Sequence, residues 1–264
     1  MIARKRFGQH FLEPAWVIKV IDAIAPRPDD RFFEIGPGRG ALTHPLAERT
    51  AQVTAFEIDR DLAAVLRHNA PSNLEIVEGD FLDSRRPFDV PATPPIRVAG
   101  NLPYNVASPI LFKLIDLYEA GVPMTDATLM LQREVADRLV ARPGTKEYGA
   151  LSVFVRLSAA VERLLALPPG AFRPAPKVSS SLVRLSFHRP SLEPRDTPAF
   201  RKLVQTVFTR RRKTLENALL AFAPHGRPSV QKALNAAELD GRRRPETLDI
   251  VEFVRLSDAF LGRT

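Results

Sequence analysis

Through its first 190 residues the 264-residue chain alternates short apolar runs with longer amphipathic stretches. The runs near residues 31–36, 51–56, 74–78, 96–100 and 125–131 are rich in Val, Ile, Phe, Leu and Ala and stop at or near Gly, Asp or Asn, which predicts strands. A helix is predicted near residues 15–25, and helical spacing fills the gaps between the strands. Strand alternating with helix means a largely parallel sheet, so the fold class is α/β. Two more strands are expected near 158–166 and 178–187, and Pro168–Pro176 between them is too rich in proline to be a central strand. After Pro190 the pattern changes. A polar, proline-bearing stretch, Ser191–Pro198, precedes apolar residues at spacings of three and four: Phe200, Leu203, Val204 and Val207, then Leu215, Leu219 and Leu220. The expected organisation is an α/β domain over residues 1–190 and a small helical domain over 191–264, with no internal repeat or low-complexity tract.

Composition narrows the function classes. A hydrophobic content of 45% is ordinary for a globular chain. No apolar run approaches the ~20 residues of a membrane span, and the basic N-terminus lacks an apolar signal core, so a cytoplasmic location is expected. There is no cysteine, and the five histidines (His10, His44, His68, His188, His225) show no ligand spacing, so no metal is expected. The net charge of +8 suggests a polyanionic partner. Its distribution says more: residues 190–264 hold 14 Lys and Arg against 9 Asp and Glu, with clusters at Arg210–Lys213 and Arg242–Arg244. Each cluster reads either as a solvated face or as a contact for a nucleic-acid backbone. Thirty of the 38 cationic residues are arginine, which fits a thermophile and a GC-rich genome equally.

Four segments carry candidate chemistry, each at the end of a predicted strand. Phe32–Thr43 runs an apolar strand into Gly36-Pro37-Gly38-Arg39-Gly40, where glycines allow close backbone approach to a ligand. The spacing is G-x-G-x-G and not the G-x-G-x-x-G of dinucleotide sites, which suits an adenosine ligand without phosphate. About twenty residues on, Glu57 ends the next strand at the position from which doubly wound folds hold ribose hydroxyls. Asp80 ends the third, beside Phe81, as a candidate acceptor for an adenine amine. The fourth ends in Asn101-Leu102-Pro103-Tyr104. An exocyclic adenine amine is a weak nucleophile, so alkylating it calls for acceptors aimed at its N–H groups. The Asn101 side-chain oxygen and a carbonyl near Leu102 supply two, Pro103 brings no competing N–H, and Tyr104 offers a stacking face worth ~1–3 kcal/mol per base. Each element alone describes a common turn or a solvated acid. Four in this order point to an S-adenosylmethionine-dependent enzyme.

The chain resembles the small-subunit ribosomal RNA adenine N6-dimethyltransferases over nearly its whole length. The matching stretches are Arg4–Leu12, Glu34–Gly38, Glu57–Asp59, Gly79-Asp80, Asn101–Asn105, Gln132–Ala136, Phe172–Val178 and Arg211–Leu215. The resemblance implies a Rossmann-like, class I methyltransferase sheet of seven mostly parallel strands. It implies that His10 and Leu12 cover the cofactor, that Gly36, Glu57, Asp80 and Asn101 contact it or the reacting end, and that Phe172 forms a second stacking wall opposite Tyr104. Many relatives carry Asn where this chain has His10, so the direction of that hydrogen bond is open. Arg4, Lys5, Arg6 and Arg210, Arg211, Arg212, Lys213 become candidate RNA contacts. The implied reaction is in-line methyl transfer to N6 of two adjacent adenosines, each twice, in a hairpin loop near the small-subunit rRNA 3′ end. The expected partners are that rRNA and the immature small subunit, and the expected state is a monomer. Two alternatives stay open: a resistance-type methyltransferase of large-subunit rRNA, and a binding or assembly factor whose methyl transfer is dispensable. A DNA adenine methyltransferase fits less well, because no sequence-reading module is visible.

Overall fold

The computed structural model describes residues 10–83, 94–223 and 225–262. In chain order it forms β1 (Phe11–Leu12), α1 (Pro14–Ile24), β2 (Arg31–Ile35), α2 (Thr43–Arg49), β3 (Gln52–Glu57), α3 (Arg60–His68) and β4 (Leu74–Glu78). There follow β5 (Ile96–Asn101), α4 (Ala107–Glu119), β6 (Met124–Gln132), α5 (Arg133–Val140), α6 (Ala150–Ser158), β7 (Ala159–Leu167), β8 (Phe172–Arg173) and β9 (Ser180–Phe187). The remaining helices are α7 (Thr197–Thr209), α8 (Leu215–Leu219), α9 (Gly226–Ala236) and α10 (Ile250–Leu261).

Seven strands form one sheet in the order β4-β3-β2-β5-β6-β9-β7. The pairs β4–β3, β3–β2, β2–β5 and β5–β6 are parallel, and β9 returns antiparallel along β6. The run of strands reverses direction across the sheet between β2 and β5, which makes the carboxyl ends of those strands the natural place for a ligand. Register brings the key positions level: Ile35 lies beside Phe56 and Gly100, and Glu57 beside Glu78. The core explains why these segments are strands. Val53, Ala55, Ile96, Val98, Ala99, Ala127 and Leu129 are fully buried, as expected of parallel strands covered on both faces. The proline-rich stretch supplies only the two-residue β8, which pairs with β1 in a separate ladder, Leu12 opposite Phe172.

The chain divides into two compact units, one holding the sheet up to Ala136 together with Ala160–Phe187, the other holding Asp137–Ala159 and His188 onward. The expected division near residue 190 leaves 137–159 with the sheet, and this differs from the structure. The cause is α6, which packs on α7 and α10. Its Phe154 ring meets Phe200 edge-on at 6.3 Å, and Val153, Val155 and Leu157 are buried. A second aromatic chain, Tyr148 to Phe208 to Phe253, fills the same helical core.

At the sheet end opposite the glycine turn, α1 stops at Ala25 in a left-handed conformation and presents its last carbonyls inward. Two arginines from the sheet receive them. Arg97 donates to the carbonyls of Ile24 (2.8 Å) and Ala25 (3.1 Å), and Arg184 to those of Ala23 (2.6 Å) and Ile24 (3.2 Å). Cations there also meet the negative end of the helix dipole. Arg97 is in turn paired with Asp30 (2.7 Å) and Asp126 (3.0 Å), its side chain 11% exposed. Burial pushes the Asp126 carboxyl up and the two arginines pull it back. Removing one partner of such a buried group typically costs ~3–5 kcal/mol, because the remaining charges stay desolvated. Arg97→Met is therefore expected to lower the unfolding free energy by about 3–5 kcal/mol in urea titrations followed by circular dichroism. A loss below about 1 kcal/mol, the scale of an exposed pair, would show that this cluster does not hold α1 to the sheet.

Candidate functional site

The carboxyl ends of β2, β3, β4 and β5 enclose one pocket, lined among others by Gly36, Glu57, Asp80, Asn101 and Tyr104. Gly36 and Gly38 sit at φ +70° and +59°, a backbone region that side chains disfavour, and a Cβ on Gly38 would come within 3.3 Å of the Phe11 ring. The turn is tied down by Glu57. One carboxylate oxygen accepts from Gly38 N–H and the other from Asp59 N–H, both at 2.9 Å. Glu57 is 4% exposed; burial pushes its pKa up, and these backbone bonds oppose that. The Gly36 N–H donates to the Phe56 carbonyl at 3.0 Å, so the turn is fixed to β3 at two points.

Asp80 organises the turn after β4. Its Oδ1 accepts from Leu82 N–H at 2.8 Å. Lys113 on α4 donates to the carbonyls of Phe81 (2.6 Å) and Leu82 (2.7 Å), which fixes the same turn from the other side. Phe81 is buried and packs edge-on to Phe56, giving the pocket an apolar floor beside the Asp80 carboxylate.

His10, just ahead of β1, lies against Asn101 and Tyr104. Asn101 Nδ2 donates to the His10 carbonyl at 2.8 Å, which commits the amide nitrogen and leaves the amide oxygen as the acceptor for a ligand. His10 Nδ1 lies 2.7 Å from the Pro174 carbonyl, and a carbonyl only accepts, so Nδ1 carries the hydrogen. In the neutral ring Nε2 is then an acceptor, and this settles the direction that the sequence leaves open. The imidazole stacks on Tyr104 with centroids 5.7 Å apart and planes at 25°. The Tyr104 hydroxyl is anchored on Ser180 Oγ at 2.8 Å, and burial of the phenol raises its pKa, so it stays neutral. Leu102 is buried, its N–H donating to the Met130 carbonyl at 3.3 Å.

Most of the expected pocket residues converge: His10, Leu12, Gly36, Glu57, Asp80, Asn101, Leu102, Pro103 and Tyr104 all line it. Phe172 is not among the lining residues. Its ring is 3% exposed and sits in the core cluster with Leu12, because the β1–β8 register turns it inward. Among the described residues, the ring stacked on Tyr104 is His10. The sequence reading assigned no role to Glu34, Lys113 or Ser180. Glu34 carries a visible signal, an acid in a strand whose neighbours are apolar, whereas Lys113 and Ser180 are joined to the site only by the fold.

In the helical unit, Arg210, Arg212 and Lys213 are exposed, while Arg211 donates to the Lys146 carbonyl at 2.9 Å. The two basic clusters meet there: Leu215 N–H donates to the Arg243 carbonyl (2.7 Å) and Glu216 N–H to that of Gly241 (3.0 Å). Arg242 and Arg243 are held by Asp240 and Glu252. Arg4, Lys5 and Arg6 lie outside the described residues. Among the described residues no cluster of three or more acids or histidines suits a metal, and no helix is long and apolar enough to cross a membrane.

The chain is 45% identical to the ribosomal RNA small subunit methyltransferase A of Acinetobacter baylyi over 97% of its own length and 92% of that protein's. It is 43% identical to the protein of the same name from Aromatoleum aromaticum, over 99% and 96%. Among solved structures it resembles a dimethyladenosine transferase from Plasmodium falciparum, with a TM-score of 0.77, 26% identity, and 94% and 96% of the two chains covered. It also resembles the 23S rRNA methyltransferase ErmE, with a TM-score of 0.69, 30% identity, and 96% and 100% covered. The family profile described as ribosomal RNA adenine dimethylase matches residues 2–256, and the chain belongs to that family.

Proposed function

We propose that the protein dimethylates N6 of two adjacent adenosines in a hairpin loop near the 3′ end of small-subunit rRNA, using S-adenosylmethionine. One observation carries this reading: the Asn101–Tyr104 clamp opens into the same pocket as the glycine turn, Glu57 and Asp80. The reading extends to action in the cytoplasm by a monomer, and to the immature small subunit as its target, for which the exposed Arg210, Arg212 and Lys213 of the helical unit are the support.

The pocket suits the cofactor. The turn at Gly36 and Gly38 lets a ligand lie against backbone, the Glu57 oxygens suit ribose hydroxyls, and Asp80 over apolar Phe81 suits an adenine ring with its amine. When bound, S-adenosylmethionine supplies a methyl group on a cationic sulfur that leaves without acid catalysis. The chain's own residues prepare the acceptor. The Asn101 amide oxygen and the Leu102 carbonyl draw on the adenine N–H groups, which keeps the nitrogen lone pair out of the ring and aims it. Tyr104, fixed by Ser180 and backed by His10, holds the base plane. Such orientation is worth several kcal/mol, and preorganised acceptors act without reorganising during transfer. An unpaired loop base is cheaper to extrude than a paired one. For RNA contact we assign Arg210, Arg212 and Lys213, together with the basic Arg4, Lys5 and Arg6; Arg242 and Arg243 are already partnered by acids.

The likeness to a 23S rRNA methyltransferase favours a second reading, modification of large-subunit rRNA. Identity of 45% to a small-subunit enzyme against 30% to that one favours the first. Incubation with labelled S-adenosylmethionine and, in parallel, unmodified small and large subunits, then nucleoside mass analysis, is expected to give dimethyladenosine at two adjacent small-subunit positions. Label only in large-subunit RNA would move the substrate, and none in either would leave a binding factor. Asn101→Ala is expected to lower kcat at least about a hundredfold, the scale of losing one preorganised polar group. An unchanged kcat would remove Asn101 from the mechanism. Replacing Arg210, Arg212 and Lys213 together by Gln is expected to reduce the slope of log binding constant against log salt by about 2–3. An unaltered slope would place the RNA elsewhere.

A further inference from the structure

Glu34 is a buried acid in the pocket that the mechanism above does not use. It is 1% exposed, it lines the pocket, and its Oε2 has no hydrogen-bond partner. Its register neighbours on β3 and β5 are Ala55 and Ala99, both fully buried, so only methyl groups flank it within the sheet. From α2 the Thr43 hydroxyl faces it and partly relieves the burial, yet Thr43 Oγ1 also completes no hydrogen bond. A buried carboxylate with one oxygen unpaired is costly, which favours the neutral acid wherever no positive charge is near.

We propose that Glu34 reads the charge of the bound cofactor, standing as a neutral acid in the empty pocket, ionising when the sulfonium form binds, and taking its proton back once the methyl group has left and the sulfur is uncharged. This rests on S-adenosylmethionine being the cofactor. The proton balance is simple: binding of the methyl donor sends one proton from the carboxyl to solvent, and the product state recovers one. Glu34 would thereby favour the donor over the spent thioether, S-adenosylhomocysteine, in a pocket where both make the same ribose and adenine contacts. The charge environment supports it. Burial raises the Glu34 pKa to about 8, the Thr43 hydroxyl lowers it in part, and the Glu57 carboxylate on β3 raises it further. The other titratable groups around the pocket are Arg39 in the glycine turn, His10 ahead of β1, Asp80 after β4 and Tyr104 after β5. None of these is among the groups that act on the Glu34 carboxyl.

The sign follows from linkage. A ligand that requires ionised Glu34 must remove a proton at any pH below the empty-pocket value of about 8. Affinity for the donor is therefore expected to rise about tenfold per pH unit below that point and then level off, while affinity for S-adenosylhomocysteine stays flatter. The test is calorimetric titration of the full-length protein at pH 7 in buffers of different ionisation enthalpy, with S-adenosylmethionine and with S-adenosylhomocysteine. The donor is expected to release about 0.9 proton more than the product, given a group mostly protonated at that pH. The ligand ammonium is common to both and cancels in the comparison. In Glu34→Gln both ligands are expected to bind and the difference to vanish. Equal proton release by the two ligands in the wild type, or a difference that persists in Glu34→Gln, overturns the proposal. Infrared difference spectra of the wild type decide the matter even if the variant fails to fold. The protonated-carboxyl band is expected to disappear with the donor and to remain with the product, and a band unchanged by both overturns the proposal. If neither ligand binds at all, the cofactor reading falls and this one with it.

Discussion

The Glu57 carboxylate is the constraint on which the pocket depends. It accepts backbone N–H groups from two directions, Gly38 in the turn after β2 and Asp59 at the start of α3. The first bond holds the glycine turn in the left-handed geometry that leaves space for a ligand. The second sets the entry of α3, where Asp59 goes on to cap the helix through Asp61 N–H. Burying a carboxylate is unfavourable, and two short bonds to backbone donors are what keep the ionised form tolerable. A residue assigned to ribose recognition is therefore structural before any ligand arrives, so a change there alters the turn as well as the contact.

The reacting end depends on a different device, a strap made by residues remote in sequence. His10, Phe11 and Leu12 reach the pocket because β1 pairs with β8, Glu13 N–H donates to the Ala171 carbonyl, and Asn101 holds the His10 carbonyl. In the function proposed above, the same Asn101 offers its oxygen to the substrate amine. One side chain thus joins the strap to the chemistry, and Tyr104 repeats the pattern by fixing its hydroxyl to Ser180 while lying under His10.

Much of the fold was legible because parallel strands buried on both faces announce themselves as apolar runs. The strands expected near 74–78 and 96–100 form at Leu74–Glu78 and Ile96–Asn101, and the helix near 15–25 at Pro14–Ile24. The pocket acids were legible for a related reason: Glu57 and Asp80 sit at strand ends, and parallel register makes strand ends meet. What failed depended on long-range placement. A two-residue ladder such as β1–β8 has no periodicity to detect, and it is this ladder that sets Phe172 opposite Leu12 in the core. Residues 137–159 read as one more helical connection of the sheet, since nothing local says that the apolar face of α6 belongs with Phe200. Charge counting left the second basic cluster open between a solvated face and an RNA contact, because it cannot see that Arg242 and Arg243 carry their own carboxylate partners, Asp240 and Glu252.

The two ends of the sheet divide the work of stability and function. At one end Arg97 and Arg184 close the last turn of α1 with charge-assisted bonds to its carbonyls, and both of the acids paired with Arg97 are satisfied. At the other end polar groups are left unfinished: Glu34 Oε2 and Thr43 Oγ1 are buried without partners within a few residues of the glycine turn. Unsatisfied buried polar groups are rare in native structures and cost free energy. A sheet so firmly closed at its base can carry that cost at its functional edge. The unfinished groups there are the ones whose hydrogen-bonding and charge a ligand is able to complete.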